Sequence, residues 1–373
     1  MRNTVTDEIY LGLMSGTSLD AIDAVAVSFE HGLRILATYS MPLSDDIRSS
    51  ILALTLPGSN EIDRMGEVDV QLGVLFGACV NRLLEESGLD RQRVKAIGSH
   101  GQTIRHRPGK NFPFTLQIGD PNVIAENTGI TVVADFRRRD IAAGGQGAPL
   151  VPAFHQALFR SPDRDRVILN LGGIANITLL PSDSKQPVRG YDTGPANILM
   201  DAWCRRIRHI PYDLDGEWAA LGTINTELLD RMLSHPFFAC APPKSTGRED
   251  FNIEWLDSML NDTSSCQPED VQATLCELTA QSVAQAVLAA GMGHSQMVAC
   301  GGGAYNQHLM LRLAALLPNC EIGNSMDFGV APTWIEAAAF AWLARQAMTG
   351  MNGNIPEVTG ARGERILGGI YPG

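Results

Sequence analysis

The chain has 373 residues, of which 45% are hydrophobic and 19% charged, and its formal net charge is −12. That length suggests two domains or one large one with ample core, and the acidic balance disfavours non-specific nucleic-acid binding. No apolar run reaches membrane-spanning length, Met1–Glu8 lacks the apolar core of a signal peptide, and seven scattered cysteines without Cys-x-x-Cys spacing fit reduced thiols in a cytosol.

In chain order, residues 9–13 and 24–29 read as strands flanking a polar turn, Ser15-Gly-Thr-Ser-Leu-Asp20. Gly16 lets backbone approach a ligand closely. Ser15, Thr17 and Ser18 add hydroxyls to the backbone N–H donors, and Asp20 and Asp23 can orient a divalent cation through water. These are the parts of a phosphate-binding hairpin, although no Walker-type Gly-x-x-x-x-Gly-Lys-Ser/Thr loop occurs. An ordinary polar hairpin turn would carry the same residue types. Segment 61–87 places Ile62, Met65, Val68, Leu72, Leu75, Phe76, Val80 and Leu83 at helical spacing, which predicts a helix ending at Gly88. A short buried strand over 94–98 leads into Ser99-His-Gly-Gln-Thr103, and further strands are expected over 115–118 and 131–134. Asp135-Phe-Arg-Arg-Arg-Asp140 follows, then Ala142-Ala-Gly-Gly-Gln-Gly-Ala-Pro-Leu150, the best candidate for an interdomain crossover and hinge. This divides the chain into lobes 1–140 and 141–373, with the last helix free to pack back on the first lobe.

A second strand–turn–strand, Val167-Ile-Leu-Asn-Leu-Gly-Gly-Ile-Ala-Asn-Ile-Thr-Leu-Leu180, parallels residues 9–27 in form and suggests a duplicated topology. Tyr191-Asp-Thr-Gly-Pro reads as a polar turn before a helix over 196–207. Helices are expected over 269–290, 306–317 and 332–344, and a strand over 297–300 enters Gly301-Gly-Gly-Ala-Tyr-Asn306. The tail beyond Thr349 reads as irregular. Alternating strands and helices in two hairpin-led halves argue for an α/β protein of two lobes, with the cleft between lobes a preferred ligand site. The Gly-containing turns at 15–20, at Gly172-Gly173 and at Gly301-Gly302-Gly303 each follow a strand, where N–H groups can make anion-binding concavities.

The order of these turns resembles the two-lobed actin, sugar-kinase and heat-shock ATPase superfamily, built on a ribonuclease-H-like fold. More closely, Gly12-Leu-Met-Ser-Gly-Thr-Ser-Leu-Asp20, Ser99-His-Gly-Gln-Thr103, Asp135-Phe-Arg-Arg-Arg-Asp140, Gly144-Gly-Gln-Gly-Ala-Pro-Leu150, Asn170-Leu-Gly-Gly-Ile-Ala-Asn176, Tyr191-Asp-Thr-Gly-Pro-Ala-Asn197 and Pro332-Thr-Trp-Ile-Glu336 resemble the anhydro-N-acetylmuramic acid kinases, over about residues 9 to 345. One departure is Ala21, where that family usually has Gly; a positive φ there would trim nucleotide affinity. The resemblance implies an actin-like fold with an interlobe active site. It also implies a cytoplasmic homodimer that uses ATP and Mg²⁺, with a small amino sugar from peptidoglycan turnover as substrate and neither nucleic acid nor membrane as partner. Water would open 1,6-anhydro-N-acetylmuramic acid at its anomeric carbon, and the freed O6 would take the γ-phosphoryl group.

By the same resemblance, Asp192 is the general base, with backbone donors from Thr193 and Gly194 near the sugar; otherwise Asp192 is a turn or N-cap residue. Glu336 contacts the sugar or instead helps hold the catalytic water. Of the arginine run 137–139, Arg137 is the candidate to hold the lactyl carboxylate through a bidentate contact; the alternative for that run is a solvated or interlobe ion-pair cluster. His100 either hydrogen-bonds substrate or is a satisfied core histidine, and Asp135 orders the arginines. Nucleotide falls to Gly16, Thr17, Ser18, Leu19, Asp20, Ala21, Ile22 and Asp23, to Gly172 and Gly173, and to Gly301, Gly302 and Gly303 on the adenosine side. Asp20 is the better Mg²⁺-organising group, through water. Cys300 reads as packing. A kinase for another amino sugar, a phosphatase on the same scaffold, a non-catalytic ATP switch and a simple glycosidase are the competing functions, and fold alone would not decide among them.

Overall fold

The strand–turn–strand of the sequence is realised twice in the computed structural model, which describes residues 8–16, 19–261 and 266–373. Thr17 and Ser18 of the first polar turn lie outside the described residues. The chain forms two units, one made of the chain up to Leu158 together with Trp334–Gly373 and the other of Phe159–Thr333.

The first unit opens with β1 (Ile9–Ser15), β2 (Ala21–Ser28) and β3 (Arg34–Pro42), followed by helices α1 (Asp45–Thr55) and α2 (Glu61–Ser87). Val68, Leu72, Phe76, Val80 and Leu83 bury one face of α2 against this sheet. Gly88, in left-handed conformation, ends the helix by donating its N–H to the Leu84 carbonyl at 3.0 Å. Next come β4 (Val94–Ser99), β5 (Gln102–Arg107), β6 (Phe114–Ile118), α3 (Pro121–Thr128), β7 (Val132–Ala134), α4 (Phe136–Ala142) and α5 (Val151–Phe159). The second unit contains β8 (Arg166–Leu171), β9 (Ile174–Leu180), β10 (Arg189–Pro195) and α6 (Asn197–Arg208). It continues with α7 (Thr226–Leu233), α8 (Pro236–Ala239), α9 (Ile253–Leu260), α10 (Pro268–Ala289), β11 (Gln296–Cys300), α11 (Gln307–Leu316) and β12 (Glu321–Asn324). The chain then returns to the first unit with α12 (Ile335–Met348), α13 (Pro356–Thr359) and β13 (Gly369–Tyr371).

Sheet order shows the duplication. The first sheet runs β13-β7-β4-β1-β2-β3 and the second β10-β9-β8-β11-β12. In both, an antiparallel three-strand meander is continued by parallel strands beside its first member. This shared order is the ribonuclease-H-like α/β arrangement, one copy per unit. Each unit has its own apolar core.

Helix α12 is buried nearly all round, and it lies directly on the first sheet because two glycines make room. Gly12 of β1 and Gly98 of β4 are register partners. A Cβ at Gly98 would lie 2.6 Å from the carbonyl carbon of Phe340, and one at Gly12 2.8 Å from that of Ala337.

Several expectations are corrected. The first unit extends past residue 140, since the glycine run 142–150 is fastened within it. Buried Asp140 accepts hydrogen bonds from Gly147 N–H (2.8 Å), Asn354 Nδ2 (2.7 Å) and Thr359 Oγ1 (2.8 Å), and Gln146 N–H donates to Thr359 O (2.8 Å). The boundary falls at the end of α5 instead. The tail beyond Thr349 is not irregular throughout, because β13 adds an antiparallel strand beside β7. Residues 332–334 form a separate 3₁₀ turn before α12. Asp192 lies within edge strand β10, not in a turn, and Ala196 holds the N-cap position of α6. Among the described residues no helix is long and apolar enough to cross a membrane, and all seven cysteines are free.

Replacing Gly98 by Val should cost about 2–3 kcal/mol, because a helix carbonyl must move. Gly109→Ala, where an added Cβ meets nothing within 4 Å, should stay within about 0.5 kcal/mol. Denaturant unfolding of the two variants measures the contrast; equal stabilities would contradict the glycine-mediated packing.

Candidate active site

In the first unit, the β1–β2 turn is closed by Leu19 N–H donating to Gly16 O at 3.3 Å, and Leu19 takes positive φ, 59°. Ala21 is the first residue of β2, opposite Pro42, and is not among the positive-φ residues, so its methyl group brings no backbone strain. Ser15 Oγ donates to Gln102 Oε1 at 2.8 Å. Arg48 of α1 donates from Nε to Leu19 O at 3.1 Å and lies 3.5 Å from the Asp20 carboxylate, which is 73% exposed. Gln102 lies within the Ser99-His-Gly-Gln-Thr103 motif, whereas nothing in the local sequence marks Arg48. Ile22 is fully buried in the core, and Asp23 accepts the Ser40 hydroxyl at 2.7 Å, with burial raising its pKa.

Arg137 and His100 are brought together. His100 Nε2 accepts from Arg137 Nε at 3.2 Å and Nη2 at 2.9 Å, while Arg137 Nη1 donates to Gly147 O at 2.9 Å. The His100 ring packs on Phe340 of α12, centroids 4.7 Å apart. Burial, and next the Arg137 charge, push the His100 pKa well below its usual value, so the ring is neutral and acts as an acceptor. Burial lowers Arg137 to about 10, opposed by the charges of Glu336 and Asp140, so it stays cationic at neutral pH. Its neighbours diverge as successive helix positions must. Arg138 is exposed and paired with Asp135 at 2.7 Å, and Arg139 is exposed. Glu336, half-buried in the first turn of α12, has the position the helix dipole favours for a carboxylate.

In the second unit, the carbonyls of Gly172 and Gly173 accept N–H bonds from Asn197 (3.1 Å), Ala196 (2.9 Å) and Ile198 (3.1 Å), fastening the β8–β9 turn to the start of α6. Gly301, at φ 79°, sits where a Cβ would lie 2.8 Å from Leu171 O, and a Cβ at Gly303 would lie 2.7 Å from Leu171 Cβ. Gly302 faces open space. The two glycine motifs therefore converge on the end of β8. Asn197, whose Nδ2 donates to Leu171 O at 3.0 Å, joins them without having been assigned a role.

Asp192 pairs with Asn176 across β9–β10, and a register shift between Asp192 and Gly194 leaves Thr193 as the extra, bulged residue. Thr193 is buried and donates its hydroxyl to Ala175 O at 3.3 Å. Gly194, at φ 150°, packs so closely that a Cβ would lie 2.8 Å from Phe238 Cε1. Asp192 N–H donates to Lys244 O at 3.1 Å, and its Oδ2 accepts Thr246 N–H at 3.0 Å. Burial raises the Asp192 pKa to about 6; the Thr246 N–H opposes this and the Glu249 charge adds to it. Sequence reasoning passed over the run Pro242-Pro-Lys-Ser-Thr-Gly-Arg-Glu-Asp250, whose one signal is a polar, glycine-containing stretch after two prolines.

Among the described residues no three His, Cys, Asp or Glu side chains cluster to hold a metal. A lone exposed carboxylate such as Asp20 fits Mg²⁺ bound mainly by phosphates and water, in competition with Arg48.

A carboxyl whose folded pKa is raised is most favourable to stability while protonated, and that contribution is lost as pH climbs through about 6. Asp192→Asn should therefore stabilise the protein by about 1–2 kcal/mol at pH 8 and by nothing measurable at pH 4. Calorimetry at the two pH values tests this; a destabilised variant at pH 8 would contradict it.

Residues 8–373 match the family model described as anhydro-N-acetylmuramic acid kinase. Proteins of that name include one from Acinetobacter baylyi, 54% identical over 97% of this chain and 98% of its own length. Another, from Shewanella pealeana, is 51% identical over 99% of this chain and 100% of its own. A third, from Coxiella burnetii, is 50% identical with 98% of each chain covered. Matched by the family over nearly its whole length, and half identical end to end to these relatives, the chain belongs to the anhydro-N-acetylmuramic acid kinase family.

Proposed function

We propose that this sugar kinase opens the 1,6-anhydro ring of 1,6-anhydro-N-acetylmuramic acid with water and phosphorylates O6 from ATP, with Asp192 as the general base. The observation that carries the assignment of the base is the half-buried carboxylate of Asp192, held at one oxygen by Thr246 N–H and raised to about 6. Such a group is largely ionised at neutral pH yet basic enough to take a proton in a transition state.

Asp192 accepts a proton from water as the water oxygen bonds to the anomeric carbon. The C1–O6 bond breaks, and its electron pair passes to O6. O6 bonds to the γ-phosphorus of ATP, and the bond from that phosphorus to the β,γ-bridging oxygen breaks to leave ADP. The products are N-acetylmuramic acid 6-phosphate, ADP and one proton. Arg137, steadied by neutral His100 and Gly147 O, supplies a fixed guanidinium for the lactyl carboxylate. Glu336 accepts sugar hydroxyl or amide hydrogens. The glycine turns at Gly172-Gly173 and Gly301-Gly302-Gly303 take the nucleotide, with Gly302 offering bare backbone. The β1–β2 hairpin takes the phosphates, and Mg²⁺, organised by Asp20 through water, would neutralise phosphate charge. Family resemblance supports a homodimer in the cytoplasm, where peptidoglycan fragments are recycled; seven free cysteines suit a reducing compartment.

Asp192→Asn should lower turnover by at least about a hundredfold while ATP affinity by calorimetry stays within about twofold, since no glycine turn is touched. Loss of ATP binding in that variant would assign Asp192 a structural role. Glu336→Gln should raise KM for the sugar more than KM for ATP in steady-state kinetics; equal changes in both would contradict a sugar contact.

A further inference from the structure

Residues 244–250 lie beside the outer edge of β10, where a further strand would otherwise pair, and they meet that edge at Asp192. Asp192 N–H donates to Lys244 O at 3.1 Å, and Thr246 N–H donates to Asp192 Oδ2 at 3.0 Å. The segment is anchored at both ends. Lys244 Nζ donates to the carbonyls of Phe237 (3.1 Å) and Phe238 (3.3 Å) at α8, and lies 4.4 Å from the centre of the Phe237 ring. At the far end Gly247 O accepts N–H bonds from Asp250 (3.2 Å) and Phe251 (3.1 Å). Phe251 is fully buried, its ring 5.0 Å from His235 and 5.1 Å from Trp255. Between the anchors, Thr246 Oγ1 donates to Asp250 Oδ2 at 2.7 Å, and the Glu249 carboxylate folds back over Gly247.

We infer that this strap is the positioning element of the Asp192 base: Thr246 fixes one carboxylate oxygen, the Thr246–Asp250 hydrogen bond holds the strap in register, and Glu249 keeps negative charge beside the pair. The inference rests on Asp192 being the base. Glu249, whose carboxylate lies over Gly247 next to Thr246, is a charged neighbour that adds to the raised Asp192 value. From β9 the facing residue is uncharged Asn176. From α10 come Thr279, donating to Pro195 O at 3.0 Å, and Ser282 beside Gly194, while Glu277 is paired with Arg312 at 2.7 Å. From α8 the neighbour is Phe238. Within the strap, Lys244 is held by the α8 carbonyls, Asp250 by Thr246, and Arg248 is exposed. Burial is the main cause of the raised Asp192 value, with Thr246 N–H opposing and Glu249 adding.

The test is the pH profile of kcat/KM, with kcat and both KM values, for wild type, Glu249→Gln, Thr246→Val, Thr246→Ser and Asp192→Asn. Glu249 is exposed, so Glu249→Gln should fold normally. Its acid limb should move to lower pH by a few tenths of a unit, with KM for ATP unchanged. Thr246→Val, lacking the tether to Asp250, should lose about tenfold in kcat, and Thr246→Ser, which keeps the hydroxyl, should recover it. An unmoved acid limb in Glu249→Gln together with full kcat in Thr246→Val would overturn the strap's role. If Asp192→Asn is inactive in that case, only the strap inference falls. If Asp192→Asn keeps wild-type turnover, the base assignment falls and the strap inference with it.

Discussion

The contact on which the first unit depends is the direct seating of α12 on the backbones of β1 and β4. Gly12 and Gly98, partners in register, leave no Cβ between sheet and helix. This seat brings the chain back from the second unit to complete the first. It also sets the polar groups: Glu336 stands in the first turn of α12, and Phe340, one turn on, supports the His100 ring. His100 in turn fixes the Arg137 guanidinium. A helix seated on side chains would stand farther from the sheet, and interiors packed this closely do not absorb such a shift.

Asp140 performs a related service for the glycine run that follows it. A fully buried carboxylate is costly unless its oxygens are satisfied, and here Gly147, Asn354 and Thr359 supply donors from the run and from the tail. The glycines are needed for fit. A Cβ at Gly145 would lie 2.8 Å from the Asp140 carboxyl carbon, and Gly144 and Gly147 take positive φ. The composition that suggested a hinge is thus a cradle around one carboxylate, and the loop so held supplies the Gly147 carbonyl that Arg137 uses.

What the sequence made legible follows from local pattern. The buried face of α2, the two hairpins and the strand into Gly301 all declare themselves by periodicity and glycine punctuation. The strand carrying Asp192 did not, because Gly194 and Pro195 read as a turn. An edge strand tolerates both when the glycine follows a bulge and the proline is the last residue. The 244–250 strap has no apolar period, and Asp192, the group it holds, lies 54 residues from Thr246 in sequence, so only tertiary structure reveals their contact. The His100–Arg137 pair is likewise long-range. The tail's order depends on Asp140 and β7, neither of which its own composition announces. Candidate residues on motifs can therefore be picked out one by one from sequence, whereas the groups that hold them in place cannot.

Coupling of ring opening to phosphorylation is tested most directly with ATP, Mg²⁺ and 1,6-anhydro-N-acetylmuramic acid in ¹⁸O-water, sampled early and read by mass spectrometry. The expected product is a ring-opened 6-phosphate carrying label at C1 and none in its phosphoryl group, formed only when ATP is present. Ring opening without ATP, or label in the phosphoryl group of the sugar product, would contradict attack of water at the anomeric carbon followed by transfer to the freed O6.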